Sequence, residues 1–198
     1  MTTLVAVTLG SLCAYALARL PFRGKTPLLA FVLAVSMFPQ ISIVAPLYLV
    51  LRELRLLNTY PGLVLPYLTF AMPLTIWLLV GLFRQLPPEL EEAAMMDGAS
   101  RFGAFRLVVL PLAGPGVATT AILTFLYSWN EFLFALSFTL GPERYTVPVA
   151  IALFRGQYQV PWGEVLAAAA LATIPVALIV LVFQRRIVAG LTAGATKG

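Results

Sequence analysis

Five stretches of this sequence run for 17 to 24 residues without a charged side chain, and that feature narrows the possible folds more than any other. They are Thr2–Ala18, Leu28–Leu51, Gly62–Phe83, Leu107–Trp129 and Val165–Phe183. About 20 mostly apolar residues in a helix cross the roughly 30 Å of hydrocarbon in a bilayer. Composition points the same way: 61% of the 198 residues are hydrophobic and 11% charged, against about 25% charged in a soluble domain. A chain this short leaves much of its surface in solvent and cannot bury so much apolar side chain in one core. A soluble globular domain, a disordered chain and a nucleic-acid binder are therefore excluded, despite a net charge of +5. The expected fold class is all-α, a polytopic transmembrane helical bundle forming one domain over residues 1–198. The first run could also be read as a signal peptide. It lacks a preceding basic segment, however, and Arg19, Arg23 and Lys25 follow it, which favours a span.

Basic residues set the orientation. Nine of them (Arg19, Arg23, Lys25, Arg84, Arg101, Arg106, Arg185, Arg186 and Lys197) fall on one side of the five-span scheme, against four (Arg52, Arg55, Arg144 and Arg155) on the other. The richer side is assigned to the cytoplasm, which puts the C-terminus inside and Met1 outside. An external start with nothing basic before it suggests a six-span fold that lacks its first span here. Residues 137–164 are expected to form an external loop. Its apolar run Val147–Phe154 is too short to cross and suits a surface helix or a partly inserted one. Prolines 39, 46, 66, 73, 115 and 175 lie in the spans, where each removes an amide donor and can kink a helix.

The lone cysteine, Cys13, precludes an internal disulfide or a cysteine metal cluster. With no histidine, the chain alone can build no histidine base, Ser-His triad or histidine-ligated metal site. No cofactor is expected, and no metal.

The segment 85–111, on the cytoplasmic side, carries the most information. Pro87-Pro88 suits the start of a helix, where a missing amide hydrogen is harmless. Glu89, Glu91 and Glu92 then favour the positive end of its dipole. Asp97-Gly98 reads as a stop, with Gly98 free to take a left-handed conformation, and Ser100 can cap a second helix. Such a pattern fits an ordinary capped loop or a docking element. The small residues Ala93 and Ala94 beside Gly98 favour docking, since they let a partner backbone approach closely.

Glu92-Ala93-Ala94, then Gly98, then Leu110-Pro111 resembles the EAA loop of ABC-importer permeases. The longer form EEAAMMDGAS followed by FRLVVLPL, with SWNEFLFAL (Ser128–Leu136) and the ending from Ala172 to Gly198, is similar to the MalG-like carbohydrate subfamily. The resemblance implies a permease subunit of an ATP-driven ABC importer for a sugar or oligosaccharide, or a glycerol phosphate. It implies that Glu91, Glu92, Ala93, Ala94, Asp97, Gly98 and Ala99 couple the chain to a cytoplasmic ATP-binding subunit dimer. A second permease subunit, an extracytoplasmic solute-binding protein and membrane lipid complete the expected partners, with no nucleic acid among them. The setting is then the inner or plasma membrane of a bacterium or archaeon. Such permeases usually have six spans, of which these five match the last five. The chain has no P-loop pattern, so ATP hydrolysis is assigned to the partner and not to this subunit.

Trp129, Asn130 and Glu131 form a candidate substrate path near the outer end of the fourth span. Glu131 directly abuts an apolar run, and ionisable groups at membrane depth usually face a cavity or partner. Tryptophan can stack on a sugar face while amide and carboxylate take its hydroxyls. An interfacial aromatic anchor with polar neighbours, or a subunit contact, fits the same residues. Tyr67, Thr69, Thr75 and Tyr127 are further pore candidates. Two other classes remain as alternatives. A self-sufficient secondary transporter predicts paired repeats and mid-membrane charges, and an intramembrane enzyme predicts catalytic groups inside the spans. The apolar runs carry neither.

Overall fold

The computed structural model describes residues 1–154 and 160–192, with backbone alone over 185–192, and every regular element among them is helical. Three apolar runs become long helices: α1 (Thr2–Arg19), α4 (Tyr60–Gln85) and α11 (Trp162–Thr192). At 1.5 Å per residue the 26 residues of α4 extend about 39 Å, more than the hydrocarbon thickness. The other two runs are broken. α2 (Lys25–Ser36) and α3 (Gln40–Glu53) meet at 89°, and the rod Arg101–Leu112 meets α8 (Gly114–Trp129) at 79°. Among the described residues there are thus three helices long and apolar enough to cross a membrane, or up to five spans if each bent pair counts as one.

Proline explains the breaks only by position. Pro39 sits at the start of α3 with extended backbone and lacks the amide that would carry α2 onward. Pro115 lies at the start of α8, just past the second bend. Pro46, Pro66, Pro73 and Pro175 stay inside helices.

The centre of the bundle is α1 against α4, with α8 closing on both. Ala6, Gly10 and Ala14, spaced by four, are buried along α1 and bring the two backbones close. A Cβ at Gly10 would stand 2.7 Å from Cγ2 of Thr75 on α4. Thr75 is itself fully buried and shares a 2.9 Å hydroxyl contact with Thr124 of α8. Each of these hydroxyls also lies 2.8 Å from a carbonyl one turn back, so both protons have acceptors whichever hydroxyl donates to the other. Two apolar clusters flank this centre. One joins Tyr15, Phe83, Phe105 and Val109 at the C-terminal end of α4. The other joins Leu51, Tyr67, Phe70 and Phe138 at its N-terminal half.

The second end is tied by Asn58, which holds φ +57 in the turn before α4. Its Oδ1 accepts from the amides of Leu140 and Gly141 at 3.0 and 3.3 Å, and its Nδ2 donates to Glu143 at 2.8 Å. That contact holds the Glu143 carboxyl below the usual carboxylate range. The sign follows: the pair stabilises the fold at neutral pH, and the contribution fades as pH falls through the lowered folded value. Asn58→Ala is expected to destabilise the protein by about 2 kcal/mol, about 1 for each lost backbone bond. Thermal unfolding in detergent checks this.

These contacts also sort the basic residues. Arg19 and Arg101 gather at the C-terminal end of α4, whereas Arg144 lies over the Tyr60 ring, 4.3 Å away, at its N-terminal end. Arg155 and Lys197 lie outside the described residues, and Arg185 and Arg186 are described only as helical backbone. Within 137–164, Val147–Ala152 forms the short helix α10, whose Val149 is buried in the apolar cluster of the Asn58 end.

Candidate functional site

Local chemistry shapes the segment after α4. Pro88 takes the first position of α5 (Pro88–Met96), and Glu89 and Glu91 fill its first turn. The helix stops at Gly98, whose φ of +91 suits a residue without Cβ. The Gly98 amide bonds the Met95 carbonyl at 3.1 Å and the Ala99 amide bonds that of Ala94 at 3.0 Å. That pair of bonds is a Schellman end, which satisfies carbonyls the helix would otherwise strand. Ser100 Oγ then accepts from the Gly103 amide at 3.1 Å and starts α6 (Arg101–Ala104). A π-helical stretch, Phe105–Val109, and the short α7 (Leu110–Leu112) continue it to the bend.

The result presents two unlike faces. Glu92, Ala93, Asp97 and Gly98 are exposed, and Ala94 and Ala99 are half-buried. Beside them Met96 is 84% exposed and Phe102 62%. This edge joins apolar anchors to carboxylates around small residues, a composition suited to docking a protein rather than to meeting water. Glu91 faces the other way and is 5% exposed. The Tyr15 hydroxyl donates to its carboxylate, and Arg19 Nε lies 3.5 Å from its Oε2.

A cleft of about 580 Å³ opens at the other end, lined by Gln40, Tyr127, Asn130, Glu131 and Phe132 among others. Gln40 donates to the Tyr127 hydroxyl at 2.6 Å, which joins the start of α3 to α8. Asn130 is exposed and its Nδ2 bonds the Leu126 carbonyl at 2.7 Å. Glu131 is 7% exposed. Its Oε1 accepts from the Phe134 amide at 2.8 Å and its Oε2 from that of Ala135 at 3.1 Å. The carboxylate therefore caps α9 (Leu133–Phe138), with its charge at the positive end of that helix.

Trp129 packs on Phe125, with ring centroids 5.5 Å apart, and is not among the residues lining the cleft. Of the further pore candidates, Tyr127 lines the cleft, and the Tyr67 hydroxyl reaches the Glu131 carbonyl at 3.4 Å. Thr75 is buried between helices, and Thr69 lines a separate apolar groove of about 400 Å³. Sequence reasoning missed Gln40. Its signal was an amide directly after Pro39 inside an otherwise apolar run.

A family model described as "Binding-protein-dependent transport system inner membrane component" matches residues 6–193. The chain is 52% identical to the trehalose transport system permease protein SugB of Mycobacterium tuberculosis, covering 100% of this chain and 73% of that one. It is 48% identical to the trehalose/maltose transport system permease protein MalG of Thermococcus litoralis, with 100% and 72% covered. For the sulfoquinovosyl glycerol transport system permease protein SmoH of Agrobacterium fabrum the identity is 43%, with 100% and 70% covered. A crystal structure of a bacterial ABC transporter that imports the acidic polysaccharide alginate shares the fold at a TM-score of 0.70. That match has 24% identity over 93% of this chain and 72% of that one.

Proposed function

The chain belongs to the family of inner membrane components of binding-protein-dependent transport systems, and from that premise we propose that it passes a sugar across the membrane under the drive of a separate ATPase. It is a transport subunit. The docking edge on α5 and α6 receives the ATP-binding subunit, with Glu92, Ala93, Ala94, Asp97, Gly98 and Ala99 at the contact. A second permease subunit completes the pore, and a solute-binding protein delivers the sugar to the opposite face. The α5 side is the cytoplasmic one, and the C-terminus lies there too. Residues 85–111 then act as the coupling loop, and 137–164 lie outside.

One observation carries the reading. The α5–α6 turn is held in shape by its own caps while its apolar and acidic edge is left exposed. Different contacts with two states of the ATPase could bias inward- against outward-facing forms through such an edge. Purifying the tagged chain from its cells tests this. An ATP-binding subunit is expected to co-purify, and the reconstituted complex to take up radiolabelled trehalose or maltose only with ATP. Uptake without ATP would refute the reading. Competition by glycerol 3-phosphate would move the solute assignment to that class.

The cleft supports a hydroxyl-rich solute, since Gln40, Tyr127 and Asn130 offer amide and phenol groups beside the Phe132 ring. Trp129 contributes by fixing the end of α8 through Phe125, and Glu131 by fixing α9. Gln40→Ala with Asn130→Ala is expected to lower uptake about thirtyfold at limiting solute, each of the two lost hydrogen bonds counting about 1 kcal/mol. The amount of protein in the membrane should not change. Glu131→Gln is different in kind, because the amide cannot accept from both helix amides and folding suffers. Unchanged uptake in the double variant would exclude the cleft from the path.

A further inference from the structure

Among the acidic residues of α5, Glu91 alone is buried, and its partners lie on a helix more than seventy residues away in sequence. α1 reaches the coupling segment at three points. Arg19 Nη2 donates to the Leu86 carbonyl at 2.6 Å, just before α5 begins. Arg19 and Tyr15 together hold the Glu91 carboxylate within α5. The Tyr15 hydroxyl also lies 3.2 Å from the carbonyl of Arg101, at the start of α6. Tyr15 and Arg19 are one turn apart on a single face of α1, and the Tyr15 ring packs on Phe105 at 4.7 Å.

The chain's own link from α4 to α5 is weaker. Leu86 and Pro87 are extended, so no helical hydrogen bonds run through the joint. Stability alone gives little reason for a carboxylate here, since a buried ion pair gains little over apolar packing. In some helical proteins a buried polar or charged group fixes the register of one helix against another.

We propose that Glu91 is a positioning residue that locks the coupling segment to α1, so that a push on α5 moves α1 as one body with it. The inference rests on the docking assignment made above. Motion of α1 reaches the bundle centre directly, through the Gly10 contact with Thr75 and from Thr75 to Thr124.

The test uses the whole complex. Spin labels are placed on the native Cys13, exposed on α1, and at position 89, exposed on α5, in a Glu89→Cys variant. Their separation is read in the nucleotide-free and ATP–vanadate states. With Glu91 intact, a single narrow distance is expected in both states. In Glu91→Gln the distribution broadens. Trehalose moved per ATP hydrolysed falls at least about fivefold, the lower end of ordinary coupling energies, while hydrolysis by the partner subunits continues. Tyr15→Phe keeps the ring against Phe105 and is expected to act in the same direction, so the result does not hang on one variant's folding.

A narrow distance and an unchanged transport ratio in both variants, whatever their yield, would overturn the lock alone. Absence of any ATP-binding subunit from the unmutated complex would overturn the docking assignment, and the lock with it.

Discussion

Gly98→Arg is expected to leave the protein in the membrane at normal abundance and to abolish ATP-driven uptake. The structure separates the two halves of that statement. A Cβ at Gly98 would meet nothing within 4 Å, so the arginine side chain has room and the bundle need not move. The backbone, at φ +91, disfavours any side chain, at a cost of about 1–2 kcal/mol. That strain falls on an exposed turn and frays the end of α5 rather than the core. The larger effect is on the docking edge. A long cation replaces a bare backbone beside Ala94 and Ala99, where the partner must approach closely.

Uptake is expected to drop at least about tenfold, the factor given by each 1.4 kcal/mol of docking energy lost. Gly98→Asn controls for strain, because asparagine tolerates the left-handed region. It should retain more uptake than Gly98→Arg. Uptake in membrane vesicles, normalised to immunoblotted protein, reads both. Normal uptake by Gly98→Arg would refute the docking assignment.

Gly10→Leu is expected to have the opposite profile, losing the protein itself. Even the first added carbon would stand 2.7 Å from Thr75 Cγ2, and the rest of the leucine has to enter the same seam. α1 must then separate from α4, or Thr75 must turn away from Thr124 and leave a buried hydroxyl with one partner fewer. Overpacking of this kind costs about 3 kcal/mol, a large share of a typical stability of about 5–15 kcal/mol. Detergent-solubilised protein should run as aggregate in gel filtration. A monodisperse peak at wild-type yield would contradict the close packing of α1 on α4.

What could be read from the sequence divides along physical lines. The caps of α5 and α6 were legible because Pro88, Gly98 and Ser100 act on their own neighbours, within one turn. The apolar runs were legible because hydrocarbon imposes a length. The two bends were not. Six prolines were candidates, and only Pro39 and Pro115 lie at breaks; Pro66 and Pro73 are buried where neighbouring helices pack on α4, while Pro46 and Pro175 stay within helices that bury few residues.

The inward turn of Glu91 was likewise hidden. It sits between Glu89 and Glu92 and shares their local signals, so only its distant partners Tyr15 and Arg19 distinguish it. Glu131 stood out as a carboxylate beside an apolar run, but its use as a cap depends on where α9 begins. The spacing of Ala6, Gly10 and Ala14 was visible in principle. In a run this rich in alanine and leucine, a small-residue stripe has little contrast until α4 is laid against it.

The π-helical stretch Phe105–Val109 has a consequence for the pore. A π turn holds one residue more than the α turn it replaces, so it takes up that residue without changing the angular phase of what lies downstream. Phe105 and Val109 both reach the apolar cluster across this wider turn. Deleting a single residue there lets the wide turn close to α geometry while the far end keeps its phase, whereas the same deletion in α6 or α7 would rotate that end by about 100°. The bend at Ala113 would then send α8 off along a different azimuth, carrying Thr124 and Tyr127 away from their partners on α4 and α3. The wide turn is slack in the rod: it can give up a residue and leave the cleft facing the same way, which the helices on either side of it cannot.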